Sequence, residues 1–441
     1  MLLIATSMKV QPGGVADTAE ITTGKGTASA GQQSGKGAKA SLHPDASSSK
    51  PLHTRLNASN PDLDLLFSQI YRDLEPYRES GITLEMVEQV YCMFNTQSFR
   101  VQVLDGRMYI AGETQGFGDI QDRMKKLLAH VWSRYAKQLP DVDMMIQFDD
   151  WMLPNLKGKH HLGHCLRQGP VITASKTASD WHGLLAPDSG YMDEPGWDLT
   201  RELLDDSVAH QPWENRTAKL LFRGAPNGNR EYQLGPDLEA LRDDELDIAL
   251  LTWQEDDKDY MSQTQTCGYK YLLYMPGNTW AGRLKYLLSC AATVIMPQDH
   301  YVAFWWHLLQ DGKHVVKIDA LRGGNSADPV LRGIVSALKQ NDTAAQAIGA
   351  NARSLVRNVL HPENLYEYWY RLICAYAELQ RFEPSLHPDA LPLAESILRI
   401  PSYKHIRFRD RTCTVCQQAP NGSAWRSGWM KSADSDPVLE P

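Results

Sequence analysis

The stretch Gly268–Ile318, GYKYLLYMPGNTWAGRLKYLLSCAATVIMPQDHYVAFWWHLLQDGKHVVKI, decides how this chain is read. It divides into a short apolar strand (Tyr271 to Met275), a turn at Pro276, Gly277 and Asn278, and a helix from Ala281 to Cys290. A second apolar strand (Ala292 to Met296), a second helix (Tyr301 to Gln310) and a third strand (His314 to Ile318) follow. Strand, helix, strand, helix, strand within some fifty residues predicts an α/β fold with a parallel sheet, whose ligands lie beyond the carboxyl ends of the strands. Asn278, Thr279, Trp280, Gly282, Arg283 and Lys285 cluster at the first loop and helix start. Amide, hydroxyl and cationic groups meeting free backbone N–H groups suit a phosphorylated small molecule.

Working outward, the 441 residues allow two or three domains, and 42% hydrophobic content with twelve Trp is ample for large cores. A net charge of −8 with no long run of one sign gives no basic face, so no nucleic-acid partner is expected. MLLIATSMKV is too short for a secretory apolar region, and no window approaches a membrane span. Residues 1–58, rich in Gly, Ser, Ala, Thr and Lys, are expected to form a disordered tail. A composition shift near Trp213 divides 59–213 from 214–381, and 382–441 reads as an extension.

In the first half, helices are predicted from about Pro61 and over Thr83 to Phe94, then a hairpin turning at Asp105-Gly106. An amphipathic helix from Ile120 to Leu139 follows, then a buried strand, Asp143 to Phe148, that stops at Asp149 and Asp150. The loop with His160, His161 and His164 reads as solvated, and Trp181 to Glu214 as irregular connecting structure. In the second half, Lys219 to Phe222 is a strand ending in Arg223-Gly224. Its loop APNGNR closes on Arg230, and the two arginines could fork onto phosphate or simply flank a turn. Asp237 to Trp253 reads as helical, and three helices close this half: Ala327 to Lys339, Ala344 to Val359 and Glu363 to Leu379.

Seven cysteines, Cys92, Cys165, Cys267, Cys290, Cys374, Cys413 and Cys416, read as dispersed thiols, and the Cys413/Cys416 pair lacks further zinc ligands. Asp141 and Asp143 form a D-x-D, but it precedes its strand and reads as a polar strand start. No metal or other cofactor is therefore expected. Sequons stand at Asn57, Asn215, Asn341 and Asn421.

The ordered string LLFRG, then YKYLLYMPGNTWAGRLKYLL with its aromatic HYVAFWW segment, then QAIGANARSLVRNVLHPENLYEYWYRLICAYAEL, resembles glycosyltransferase family 90, the CAP10 domain. The resemblance runs from about Asp141 to Leu379. It implies a GT-B architecture, two Rossmann-like domains facing across a cleft, and an inverting transfer of xylose or glucose from a UDP-sugar to a glycan or glycoprotein. Asp150 takes the position of the base, with Asp149 its neighbour. Arg223, Arg283 and Lys285 are the candidates for diphosphate contacts, and Gly224, Asn278, Thr279 and Gly282 shape the donor loop. Ala303 departs from the family's HYxE(F/W) pattern, where relatives commonly carry an acid. That departure and the missing targeting segment motivate an alternative, a non-catalytic protein that binds a glycan or nucleotide sugar. Relatives are usually luminal, and in a luminal protein Cys267 and Cys290 are well placed to pair; a cytosolic protein would keep them reduced.

Overall fold

The computed structural model describes residues 60–398 except 94–97, 114–117, 149–168, 180–181, 194, 227–229, 236–240, 253–256 and 322–326. The expected tail, the acids Asp149 and Asp150, the histidine loop, and Cys165, Cys413 and Cys416 fall outside these residues.

In chain order the strands are β1 (Ser98–Leu104), β2 (Arg107–Ala111), β3 (Val142–Gln147), β4 (Val171–Thr173), β5 (Ser175–Thr177), β6 (Gly183–Leu185), β7 (Thr217–Gly224), β8 (Leu246–Leu250), β9 (Tyr269–Leu273), β10 (Thr293–Pro297), β11 (Tyr301–Ala303), β12 (Val316–Ile318) and β13 (Leu391–Pro392). The helices are α1 (Pro61–Leu74), α2 (Leu84–Met93), α3 (Gly118–Tyr135), α4 (Trp197–His210), α5 (Arg230–Leu234), α6 (Gln263–Thr266), α7 (Leu284–Ser289), α8 (Ala327–Gln340), α9 (Asp342–Val359), α10 (Pro362–Leu379) and α11 (Leu393–Leu398).

Two larger sheets organise them. The first runs β13-β2-β1-β3-β4-β6 and is mixed: β1 pairs antiparallel with β2 and β3, while β3, β4 and β6 are parallel. Its hairpin turns at Asp105 (φ 50) and Gly106 (φ 71), the two left-handed residues a tight hairpin needs. Phe99, Val101 and Val103 fill a core on one face of β1. On the opposite face Arg100 forks onto Asp143 at 2.6 and 2.5 Å and reaches Glu88 at 2.7 Å. Asp141 accepts the Asp105 N–H at 2.8 Å, so both acids of the D-x-D are engaged at the strand start. α10 packs against β3, α1 and α3, and β13 pairs with β2, so chain from beyond residue 362 returns to complete the first half.

The second sheet is wholly parallel in the order β12-β10-β9-β7-β8. Both of its faces are covered, which is why its strands read as continuous apolar runs. In β9, Tyr271 and Leu273 enter one core with Leu220, Phe222 and Ile295, while Leu272 enters the other with Leu221 and Val294. Read from β8, the strands stand in sequence order 2-1-3-4-5, so the order in which strands are added across the sheet reverses between β7 and β9. A crevice beyond the carboxyl ends of two strands at such a reversal is the favoured ligand position of this topology.

Three sequence readings are corrected. Tyr301 to Gln310 is not a helix: Tyr301–Ala303 forms β11 against β5, and Trp306–Leu308 is a 3-10 turn. The run is apolar on every side, so it carries no helical stripe, and Phe304, Trp305 and Trp306 are all buried. Asp237 to Trp253 is not one helix, because Leu246–Leu250 is a strand paired with β7; five apolar-rich residues carry too little periodicity to separate the two states. Conversely, Trp181 to Glu214 contains β6 and the fourteen-residue α4, which buries Trp197 and Leu204 and leaves Leu199 and Leu203 exposed.

Candidate functional site

The crevice between β7 and β9 collects cationic groups. Gly224 ends β7, Arg230 opens α5 after the following loop, Gly277 lies beyond β9, and Arg283 stands just before α7. Arg230 is buried and held by three main-chain carbonyls, those of Pro276 at 2.8 Å, Ala225 at 2.9 Å and Met275 at 3.1 Å. Burial, and then the charge of Arg283, push its pKa down to about 10, so it remains charged at neutral pH. Arg283 donates to the Arg223 carbonyl and packs over the Phe222 ring at 5.5 Å. Burial lowers its pKa too, and among the described residues it forms no ion pair. A half-buried positive charge with no carboxylate is stabilised when an anion completes the site.

The glycines of this crevice are there for space. A Cβ on Gly224 would stand 2.9 Å from Arg283 Nη2. One on Gly277 would lie 3.1 Å from the Trp280 carbonyl and 3.8 Å from Arg230 Nη2. The loop between them is tied to the sheet by Tyr274, whose fully buried phenol accepts the Ala281 N–H at 3.0 Å. Thr279 is buried within this loop, Asn278 half-buried, and Gly282 faces the Trp280 ring.

Of the candidates, Gly224 and Arg283 meet at this crevice, and Asn278, Thr279 and Gly282 belong to the loop beyond β9. Arg223 does not. Its guanidinium turns toward β8, pairing with Asp247 at 2.6 Å and donating to the Asp247 and Asp259 carbonyls at 2.7 and 3.0 Å, so it braces the sheet edge. Successive strand residues face opposite sides, which is why the Arg223 side chain points away from the side where Gly224 leaves room for Arg283. Lys285 is buried and bridges the halves of the protein. Its ammonium donates to the Gly282 carbonyl at 3.2 Å and lies over the Tyr191 and Tyr286 rings at 4.7 and 4.5 Å. Burial opposes its charge, but Tyr286, Asp188 and Asp193 outweigh that and hold its pKa above the ordinary lysine value. The helix expected from Ala281 begins at Leu284 and is six residues long, so positive charge here comes from side chains rather than from a helix terminus.

Two cavities flank the crevice. A small one of about 180 Å³ is lined by Gln147, Phe148 and Thr173 at the ends of β3 and β4, by Asp188 and Gly190, and by Trp280 and Gly282 from the loop beyond β9. The carboxyl ends of the first sheet therefore face the loop beyond β9. Asp149 and Asp150, outside the described residues, follow Phe148 directly in sequence. A larger cavity of about 1,530 Å³ opens beyond β10 and β12. Among the described residues no group of three or more His, Cys, Asp or Glu stands together as a metal site. Cys267 and Cys290 are joined in a disulfide that ties the start of β9 to the end of α7. Arg230 and Tyr274 are the site residues that sequence reading did not commit to. The loop APNGNR signalled the first, while the second read only as part of an apolar strand.

Two α/β sheets opening onto a shared cleft, with guanidinium groups at the reversal point of the second, define an α/β protein with a cationic crevice. The chain belongs to glycosyl transferase family 90, whose pattern matches residues 59–421, and is accordingly a glycosyltransferase. It is similar to O-glucosyltransferase rumi of Drosophila melanogaster, 25% identical over 339 residues that cover 71% of this chain and 76% of the relative. It is also similar to protein O-glucosyltransferase 1 of Homo sapiens, 23% identical over 337 residues covering 70% and 79%. Protein O-glucosyltransferase 3 of Mus musculus is 28% identical over 270 residues, covering 56% of this chain and 49% of the relative. Among solved structures, Anabaena Alr3699/HepE in complex with UDP aligns with a TM-score of 0.32 and 8% identity, covering 57% of this chain and 77% of that one; a likeness at that level carries no argument.

Proposed function

We propose that this glycosyltransferase uses a UDP-sugar and transfers its sugar, glucose or xylose, with inversion to a hydroxyl of a glycoprotein or glycan. The observation that supports it most is the pair of guanidinium groups, buried Arg230 and half-buried Arg283, beside Gly224 and Gly277 at the β7–β9 reversal. A diphosphate fits such a crevice, since each guanidinium offers a fork of donors matched to phosphate oxygens. The names of the relatives, O-glucosyltransferases, favour glucose and a protein acceptor.

In this reading Asp150 is the base. It takes the proton of the acceptor hydroxyl as that oxygen forms a bond to the anomeric carbon. The bond from that carbon to the diphosphate oxygen breaks on the opposite face, and its electron pair leaves on the diphosphate. Arg283 and Arg230 stabilise the developing charge, with Lys285 behind the loop, and we propose that these cations act without a metal. Arg223 is left out of the donor set because its donors are spent on Asp247 of β8 and on the Asp259 carbonyl. The disulfide Cys267–Cys290 and the exposed sequon residues Asn215 and Asn341 favour an oxidising, secretory compartment. No helix among the described residues is long and apolar enough to cross a membrane.

The test is UDP release from UDP-glucose and UDP-xylose by wild type and Asp150→Asn with a glycoprotein acceptor. Release by wild type that collapses in the variant is expected. Release that survives the substitution removes Asp150 from the base role. Binding of UDP with no release from any donor supports a non-catalytic binding protein instead.

A further inference from the structure

The larger cavity contains an unanswered acceptor. Its lining includes Met296 and Pro297 from β10, Asp319 beyond β12, Ala303 and Trp306 from the aromatic segment, and Arg72 from α1. Asp299 stands among them. Its Oδ1 accepts the Tyr301 N–H at 3.2 Å, but its Oδ2 is buried and has no hydrogen-bond partner among the described residues. The cavity's lysines are engaged elsewhere: Lys176 pairs with Asp73 at 2.6 Å, and Lys317 donates to the Leu309 carbonyl at 2.9 Å. Ala303, on the same wall, offers only a methyl. Burial pushes the Asp299 carboxyl up to about 6 against the backbone N–H groups of Tyr301 and His300, so at neutral pH it is a carboxylate in want of donors.

The cavity adjoins the cationic crevice through Tyr274. That ring meets Trp306 edge-on at 5.5 Å, and its phenol holds the Ala281 N–H of the donor loop. The charges of Asp299, Arg230 and Arg283 all bear on this one phenol. A ligand whose phosphates lie at Arg283 and whose hydroxylated parts pass Tyr274 and Trp306 would meet Asp299 in this cavity. A desolvated carboxylate oxygen is best satisfied by an O–H donor, and a neutral hydroxyl adds no second charge to bury.

We propose that Asp299 is a donor-binding residue whose free carboxylate oxygen accepts a hydrogen bond from a hydroxyl of the sugar nucleotide. This rests on the reading of the β7–β9 crevice as the diphosphate site. The hydroxyl belongs either to the ribose or to the transferred sugar, and one calorimetric series separates them. UDP, 2′,3′-dideoxy-UDP and UDP-glucose are titrated into the wild-type full chain, Asp299→Asn and Asp299→Ala, with circular dichroism to verify folding. The near-isosteric Asn keeps an acceptor for the Tyr301 N–H and serves if Ala fails to fold.

If the ribose is the partner, the variants bind UDP at least about tenfold more weakly, and removing the ribose hydroxyls costs them little more. If the transferred sugar is the partner, UDP binding is unchanged and the loss falls on UDP-glucose alone. Folded variants that bind all three ligands as wild type does overturn the proposal while leaving the crevice reading intact. Wild type that binds none of the three overturns both.

Discussion

Gly224→Ala adds one methyl group and tests whether Arg283 is held where a ligand needs it. Gly224 does not occupy the left-handed region, so the substitution acts by contact and not by backbone strain. The new Cβ would stand 2.9 Å from Arg283 Nη2, 3.2 Å from Nη1 and 2.8 Å from Phe222 Cζ, whereas ordinary contact begins at 3.4 Å. Phe222 is packed in the core and can yield little, so the guanidinium is the group that gives way, by about 0.5 Å. Misplacement by about 1 Å at such a site costs about 100-fold, so half that shift predicts UDP binding weakened about tenfold, near 1.4 kcal/mol. Crowding of Phe222 costs about 1–3 kcal/mol of stability, leaving the fold intact for titration. Gly349→Ala in α9 is the matched control. Its Cβ would meet the Ala291 carbonyl at 2.4 Å, at the opposite ends of the strands, so it should lower stability without touching UDP affinity. A folded Gly224→Ala protein that binds UDP as wild type does would refute the placement of the diphosphate beside Arg283.

Replacing both Cys267 and Cys290 with Ala opens a loop closed across a separation of 23 residues. By the chain-entropy estimate the protein loses about 3 kcal/mol in urea unfolding, and an unchanged midpoint would show the bond contributes nothing. Lys176→Met leaves Asp73 buried without its cation, although Gln69 and the Leu185 N–H still donate to it at 2.8 Å. A loss of about 3 kcal/mol is expected, with partial recovery when Asp73→Asn is added; a neutral single variant would contradict the burial. Asp299 has a folded pKa raised from 3.8 to about 6, so the folded state binds its proton more tightly than the unfolded chain does. Its penalty is therefore present above about pH 6 and relieved as pH falls toward 4. Asp299→Asn should exceed wild type in stability by about 1–3 kcal/mol at pH 7 after allowance for solvent screening, and the two should converge as pH falls to about 4. Parallel pH profiles would rule out the buried carboxylate.

Much of the α/β pattern was legible because the second sheet is buried on both faces. Runs such as YKYLL and TVIMP have no solvent side to interrupt them, and Asp105-Gly106 marks a hairpin by backbone conformation alone. The aromatic segment after Asp299 was not legible. Its secondary structure follows from pairing with β5, more than a hundred residues earlier in the chain, and no local period announces such a partner. At the site, residue type pointed to Arg223 and Arg283 alike. Only the strand's alternation and the presence of Asp247 on β8 decide that one braces the sheet and the other enters the crevice. Strand order, and with it the reversal between β7 and β9, is likewise a tertiary fact that no window of sequence contains.

The most direct test is a crystal structure of the protein with UDP. The account predicts the diphosphate in the β7–β9 crevice, with its oxygens within hydrogen-bonding distance of the Arg283 and Arg230 guanidinium groups and its remaining atoms directed toward Asp299. UDP bound with its phosphates away from both arginines would contradict it.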